Sequence, residues 1–571
     1  MSLADWIVLV VTLVSIILYG LYKSRSEKNL ESYFLLNRSS SWYLILLGIM
    51  GTQASAVTFL SAPGQSYTDG MRFVQYYFGL PLAMVVLCIT FVPVFHKLKL
   101  FTAYEFLEKR FDGKTRTFTS LLFLLQRGLS TGISISAPSI ILSSLLGWNI
   151  LYTNMLMGGL LIIYTFTGGA RAVAYTQQIQ MIIIFAGMLI VGYMVVHLLP
   201  GNLGLSDALH ISGKAGKLNV ITTGHDDTGF HWNDRYNIWS GIIGGFFLQL
   251  SYFGTDQSQV GRYLTAKSTR ESKISLLLNG LVKIPMQFGI LLLGVLVFAY
   301  YQFAQEPLFF NQSQLNLLTK TKYADSLKIV MTEYEGLQKQ KIAQMNPAAG
   351  STMVENRMQQ GLTMQYTQAR QSQLHGTIQR WLRDKDVNGE ANDTNYIFLR
   401  FVVDHLPKGL IGLLIAVIFL SAWGSVAASL NSLSSATIND IHKRWIKQPL
   451  SVEKEYNYSR FYTLAWGVFC VIVAQLAYNI GNSLIEAVNV LGSLFYGVIL
   501  GIFLVAFYLK RVTATPVFIS AVVVELFVIS IHIMNQKDII NISFLWLNAI
   551  GALGVILLSS LMQSIAYAKR N

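Results

Sequence analysis

The run Gly51-Thr52-Gln53-Ala54-Ser55-Ala56-Val57-Thr58, continued by Ser61-Ala62-Pro63-Gly64, lies inside a stretch long and apolar enough to cross a lipid bilayer. A spanning helix needs roughly 20 apolar residues. Lipid offers the backbone no hydrogen-bond partner, so only a helix or a closed barrel can hide its polar groups there. Yet small and hydroxyl residues crowd the centre of this span, and a helix-breaking Pro-Gly pair follows them. Non-helical backbone survives at that depth only against protein or a water-filled cavity. The carbonyls it frees, and the ends of the half-helices, become ligands for ions and solutes.

Two further patches look alike. Gly254-Thr255-Asp256-Gln257-Ser258-Gln259 is equally polar, and Ser421-Ala422-Trp423-Gly424-Ser425 is followed by Ser429, Asn431-Ser432 and Ser434-Ser435. Any one patch also suits ordinary helix–helix packing in membranes; three at related positions favour a transport site. Around them we read about thirteen spans, at 4–23, 41–69, 73–96, 117–146, 149–167, 175–199, 235–262, 273–303, 400–440, 458–480, 483–509, 512–533 and 540–567. The first two patches fall in spans 2 and 7, five helices apart, so each would open a five-helix repeat, spans 2–6 and 7–11. The expected fold is an all-α polytopic membrane protein built on an inverted repeat. Its units are 1–40, 41–262 (spans 2–7), 263–303 (span 8), an insertion at 304–396, 397–511 (spans 9–11) and 512–571 (spans 12 and 13).

Composition agrees. Hydrophobic residues make up 53% and charged residues 13% of the chain, against roughly 25% charged in soluble domains. A net charge of +14 would suggest nucleic acid in a soluble protein; here the positive-inside rule explains it. The first positive charges, Lys23 and Arg25, follow the first apolar run, the reverse of a cleavable leader, so the N-terminus is expected outside. The inner loops then carry Lys23, Arg25, Lys28 and Arg38; Lys97, Lys99, Lys109, Arg110, Lys114 and Arg116; Arg171; Arg262, Lys267, Arg270 and Lys273; Lys443, Arg444, Lys447, Lys454 and Arg460; Lys510 and Arg511; and Lys569 and Arg570. The short outer loops are nearly free of Lys and Arg. The expected setting is a cell membrane, of the bacterial inner-membrane kind, with the C-terminus cytoplasmic and the chain monomeric. Cys88 and Cys470 lie in apolar runs and read as buried small hydrophobes.

Residues 200–234 are polar and Gly-rich, and 304–396 are Gln-rich with helical patches at Ala324–Met345 and Val354–Trp381. Asp384-Lys385-Asp386-Val387-Asn388-Gly389 resembles the start of a calcium loop. Its twelfth position is Asn395 where Glu is required, so an Asx-rich turn is expected. Inside the membrane, Arg127 costs about 2.5–3.5 kcal/mol unless it meets a partner or water. It suits either an anionic solute group or an ion pair with a carboxylate such as Asp256. Lys283 in span 8 has a stem long enough to snorkel toward the interface, and Glu525 reads as a packing residue.

These residues make the chain resemble the sodium:solute symporter family, which includes sodium/glucose, sodium/proline and sodium/sialic-acid transporters. The motifs are Ser55-Ala56-Val57-Thr58-Phe59-Leu60, Tyr104-Glu105-Phe106-Leu107-Glu108-Lys109-Arg110-Phe111, Gly168-Gly169-Ala170-Arg171-Ala172-Val173, Thr255-Asp256-Gln257, and Leu430-Asn431-Ser432 followed by Asp440-Ile441. The resemblance implies a LeuT-like core of two inverted five-helix repeats with flanking helices, and alternating access driven by sodium. It places sodium among the main-chain carbonyls of Gly51, Ala54 and Ser421 and the hydroxyl of Ser425. It places a solute beside the ion, near Gln53, Ser55, Thr58, Gln75, Arg127, Asp256, Gln257 and Asn489. The chain departs from the family pattern at Gly424, where a hydroxyl is common, and at Gln177, Ala427 and Ala428, where members with a second sodium site carry an Asp and hydroxyls. One sodium per cycle is therefore expected, with a small polar solute, a sugar or organic acid, carboxylated sugars included.

Other classes fit less well. A membrane sensor would carry an output domain, and the chain stops at Ala568-Lys569-Arg570-Asn571. An intramembrane enzyme would need a metal pair such as H-E-x-x-H or a nucleophile–base set, and neither is present. Proton coupling through Asp256 is the alternative to sodium.

Overall fold

Helices form along the apolar runs and fail at two of the three polar patches. The structure, a computed structural model of the 571-residue chain, describes residues 1–23, 30–200, 203–227, 229–345, 355–445, 451–476 and 484–568. The expected inner charges Arg25, Lys28, Lys447, Lys569 and Arg570 lie outside the described residues, as do 477–480 of span 10 and 483 of span 11.

Span 1 is α1 (Leu3–Lys23). Span 2 is two half-helices, α2 (Trp42–Gln53) and α3 (Ala56–Asp69). Between them Ala54 (φ −78°, ψ 67°) and Ser55 (φ −77°, ψ 169°) leave the helical range. A 3₁₀ stretch, Gly70–Tyr77, leads into α4 (Leu80–Val86), which runs on through a π turn to Lys97. Span 4 is α5 (Gly113–Leu146), capped at its start by the Asp112 side chain, which accepts from Thr115 N. Its end is set by Gly147, whose φ of +66° is a left-handed conformation that glycine adopts without a Cβ penalty. Spans 5 and 6, expected as separate, run on as one helical element, α6 (Ile150–His197): the short connection between them keeps helical backbone.

The loop after α6 carries α7 (Leu205–Lys214) and a small antiparallel hairpin, β1 (His225–Asp226) with β2 (Gly229–Phe230). Among the described residues the structure is all-α apart from this ribbon and an isolated bridge between Ser40 and Ala266. Span 7 opens with a π turn at Ser240–Gly244 and is again two halves, α8 (Gly245–Gly254) and α9 (Gln257–Leu264). Its break falls at Thr255 and Asp256 (φ −77°, ψ 117°). Span 8 is α10 (Thr269–Phe303). The insertion holds α11 (Ala324–Met345) and α12 (Glu355–Leu382), with its own small core that includes Leu315, Leu327, Leu374 and Ile378. The Asp384–Gly389 segment is a turn in which Asp384 accepts from Asp386 N and pairs with Lys322 and Tyr323. Its carboxylates are spent on protein partners.

Span 9 begins later than expected. Residues 400–405 belong to a separate helix, α13 (Thr394–His405), and the spanning helix is α14 (Leu410–Ala436). Pro407 disfavours helix in the residue before it, and Gly409 at φ +88° turns the chain. The polar patch at Ser421–Ser425 does not interrupt α14, because the Ser421 and Ser425 hydroxyls bond back to Ile418 O and Ala422 O of the same helix. The remaining spans are α15 (Val452–Leu476), α16 (Leu484–Tyr508), α17 (Ala514–Gln536) and α18 (Phe544–Ala568). Ten helices among the described residues are individually long and apolar enough to cross a bilayer. The number thirteen is reached only by adding the shorter apolar helices Trp42–Gln53 and Ile150–Phe166 and joining the halves of span 7.

Almost wholly buried, α14 forms the axis of the bundle, packed against α1, α2, α3, α5 and α6. At one end the insertion is tied down: Glu306 accepts from Tyr67 of α3 and pairs with Lys341, and Asn395 accepts from Ser61 at 2.7 Å. At the other end Arg116 joins Glu108 (2.7 Å) and Asp440 (2.5 Å), and Arg444 reaches Glu108, closing α5 onto the end of span 9.

Candidate functional site

The break in span 2 exposes acceptors. In an intact helix Ser55 N would donate to Gly51 O and Thr58 N to Ala54 O. Instead Ser55 N turns back to Gln53 O at 2.9 Å and Thr58 N to Ser55 O at 2.9 Å. Gly51 O and Ala54 O are therefore left without their helical donors. Side chains around the break form one connected group. Gln177 of α6 donates from Nε2 to Gly424 O of α14 at 3.0 Å and to Thr52 Oγ1 at 3.4 Å. Arg262 Nε of α9 also donates to Thr52 Oγ1, at 3.2 Å. A Cβ on Gly51 would stand 3.2 Å from Gln177 Cγ, and so would one on Gly424. The two glycines thus leave the width that the Gln177 chain occupies. Gln177 Oε1 is buried and has no donor.

Next to this group a cavity of about 120 Å³ opens between α3, α5, α8, α10, α14 and α16. Of the residues expected in the site, Gln53, Ser55, Thr58, Arg127, Ser425 and Asn489 line it. Asn489 accepts from the Tyr76 hydroxyl at 3.1 Å, and its Nδ2 is buried without an acceptor. Gly51, Ala54 and Ser421 sit behind the wall, at the break and on α14.

Three expected solute ligands are engaged elsewhere. Gln75 uses its whole amide on the loop after α7, donating to Tyr236 O (2.8 Å) and Thr222 Oγ1 (3.0 Å) and accepting from Thr222 N (3.2 Å). Gln257 staples the segment before Tyr104, donating to Phe101 O and accepting from Ala103 N. Asp256 caps α9, accepting from Ser258 N (2.8 Å) and Ser258 Oγ (2.6 Å), and its other oxygen pairs with Arg127 Nη2 and accepts from Tyr496 at 2.7 Å. Of the two readings of Arg127, the ion pair is the one realised, although the guanidinium still borders the cavity. Lys283 corrects the reading in the other direction. It does not snorkel: it is 1% exposed and lines the cavity, its Nζ 5.3 Å from the centre of the Tyr77 ring. A lone charge in an apolar span was the signal available for it. Glu525 is buried on α17, away from the cavity lining.

The sodium:solute symporter family profile matches residues 33–319 and 376–524 of this chain. The chain belongs to that family. It is therefore a membrane-embedded symporter with sodium as its coupling ion. The unmatched interval, 320–375, covers most of the two insertion helices. This symporter is 25% identical over 549 residues to the sodium/sialic acid symporter SiaT of Proteus mirabilis (strain HI4320), covering 95% of this chain and 92% of the relative. It is 24% identical over 561 residues to the sodium/sialic acid symporter NanT of Aliivibrio fischeri (strain ATCC 700601 / ES114), covering 98% and 92%. Among solved structures it resembles a substrate-bound, outward-open Na⁺-coupled sialic acid symporter, with a TM-score of 0.75 and 23% identity over 99% of this chain and 98% of that one. That likeness is one of fold.

Proposed function

We propose that this symporter carries a small polar organic solute, a sugar or organic acid, together with one sodium ion by alternating access. The observation that carries the reading is the pair of carbonyls, Gly51 O and Ala54 O, released beside α14. Small hard cations prefer oxygen ligands. The ion would be held by those carbonyls, the Ser421 carbonyl and the Ser425 hydroxyl. The solute would lie against Gln53, Ser55, Thr58 and Asn489 in the adjoining cavity. A second sodium has a poorer donor set, since Gln177 offers one uncharged amide oxygen where an Asp would bring a carboxylate, and Ala427 and Ala428 bring no hydroxyl. Proton coupling through Asp256 is disfavoured by the three partners that already hold its carboxylate. The relatives' names support a carboxylated sugar as the first solute to try. The insertion end faces outside, with the N-terminus, and the C-terminus is cytoplasmic.

The test is uptake into proteoliposomes. Uptake should stop when external sodium is replaced by choline at fixed pH. Parallel sodium and solute fluxes should match one to one. Ser425→Ala should raise the sodium concentration for half-maximal uptake by about ten-fold, the scale of one lost ligand interaction. Two sodium ions per solute would overturn the stoichiometry, and full uptake in choline would overturn the coupling.

A further inference from the structure

From its charge balance we infer that the central cavity is built for a monoanion, and that Lys283, not Arg127, is the group that recognises its charge. This deepens the reading above and rests on it.

Two cations and no carboxylate line the cavity among the described residues. Arg127 is already compensated, since Asp256 pairs with it and Tyr496 accepts from it at 2.9 Å. Lys283 is not compensated. It makes no hydrogen bond and no ion pair among the described residues; its Nζ lies 5.3 Å from the centre of the Tyr77 ring. A cation–ring contact is worth about 0.5–2 kcal/mol, well below the several kcal/mol that an unpaired charge loses on leaving water. A buried lysine escapes such a deficit by shedding its proton or by meeting a counter-charge, and a bound anion would supply the second. In this cavity the missing element is one negative charge.

The neutral groups complete the picture. Asn489 Nδ2 has no acceptor, and Gln53 Oε1 has no donor. A solute with a carboxylate for Lys283 and hydroxyl or amide groups for Gln53 and Asn489 would satisfy all three. An uncharged analogue of the same shape would leave the ammonium buried and unmatched. Sites of that kind reject the analogue lacking the polar group strongly, because their own buried groups go unpaired.

The experiment uses the full chain in liposomes under a sodium gradient. Radiolabelled N-acetylneuraminate, glucuronate and lactate serve as probes, each challenged with the free carboxylate and with its methyl ester, which differ in charge and little in shape. The expected result is that only free carboxylates are carried and compete. Lys283→Gln should raise KM for the carried anion on the order of 10- to 100-fold, and Lys283→Arg should retain more of the affinity. Methyl esters that compete as well as the acids in the unaltered protein would overturn the inference without recourse to a variant. So would a Lys283→Gln protein with unchanged KM. Uptake that depends on Lys283 but persists in choline would support the anion site while retracting sodium coupling.

Discussion

At the scale of single residues, the cavity is governed by which charges have already been cancelled. Arg127 and Asp256 stand 129 positions apart and meet in the middle of the bundle, with Tyr496 donating to the same carboxylate oxygen. Removing one member of a buried pair strands the other, at a cost of about 3–5 kcal/mol, whereas removing both can cost much less than the sum. We expect Arg127→Ala and Asp256→Ala each to lower thermal stability in detergent markedly, Asp256→Ala somewhat more because it also uncaps α9. The double variant should recover part of the loss, and strictly additive losses would argue against the coupling. The sequence displayed every one of these residues. It could not choose between a solute ligand and an ion pair for Arg127, because that depends on a partner far along the chain. Lys283 was more legible than its snorkelling stem suggests: Ser275, Asn279 and Gln287 share its helix face at four-residue spacing and all are buried, a polar stripe that turns inward. Gln75 and Gln257 bond to loop backbone for a reason the sequence could not show: an amide in a polar patch looks the same whether it faces a cavity or a loop.

At the scale of elements, the two interruptions fall inside the polar patches, at Ala54–Ser55 and Thr255–Asp256, but not at the expected helix breakers, since Pro63 and Gly64 lie within α3. The patch in α14 contains the same residue types but stays helical, since serines that bond to their own helix's carbonyls need no break. Small residues mark close approach as often as interruption, and α3 has both uses. Gly64 lies where α13 crosses α3, and a Cβ there would stand 2.0 Å from Thr394 O, a backbone atom that cannot swing aside. Gly64→Ala should therefore push α13 off α3 and lower the melting temperature by an amount matching overpacking, about 1–3 kcal/mol or more. Gly289 of α10 has no atom within 4 Å of its would-be Cβ, so Gly289→Ala should stay within about 0.5 kcal/mol of the parent. Equal stability of the two variants, read by thermal unfolding in one detergent, would refute the close-contact role of Gly64.

At the scale of the whole molecule, the ends of the bundle differ in charge, and this difference predicts which end faces the cytoplasm. Opposite the insertion lie Lys97, Lys109, Arg110, Arg116, Lys443, Arg444, Lys510 and Arg511, several of them close to the end of a span. The insertion carries its own Lys and Arg, but long segments cross the membrane largely regardless of charge, so they do not weigh against the short loops. The insertion end is accordingly expected outside. Cys88 and Cys470 are both free and buried, so a membrane-impermeant maleimide should find little background reaction. Ile329 on α11 is 69% exposed and Trp445, beyond α14, is 79% exposed. In right-side-out vesicles Ile329→Cys should be labelled at once, and Trp445→Cys only after the membrane is permeabilised. The same assignment would put the Arg116–Glu108–Asp440 cluster at the cytoplasmic exit and the Tyr67–Glu306–Lys341 contact at the outer entrance. Labelling of Trp445→Cys in sealed vesicles, with Ile329→Cys protected, would invert the protein in the membrane and exchange the roles of the two clusters.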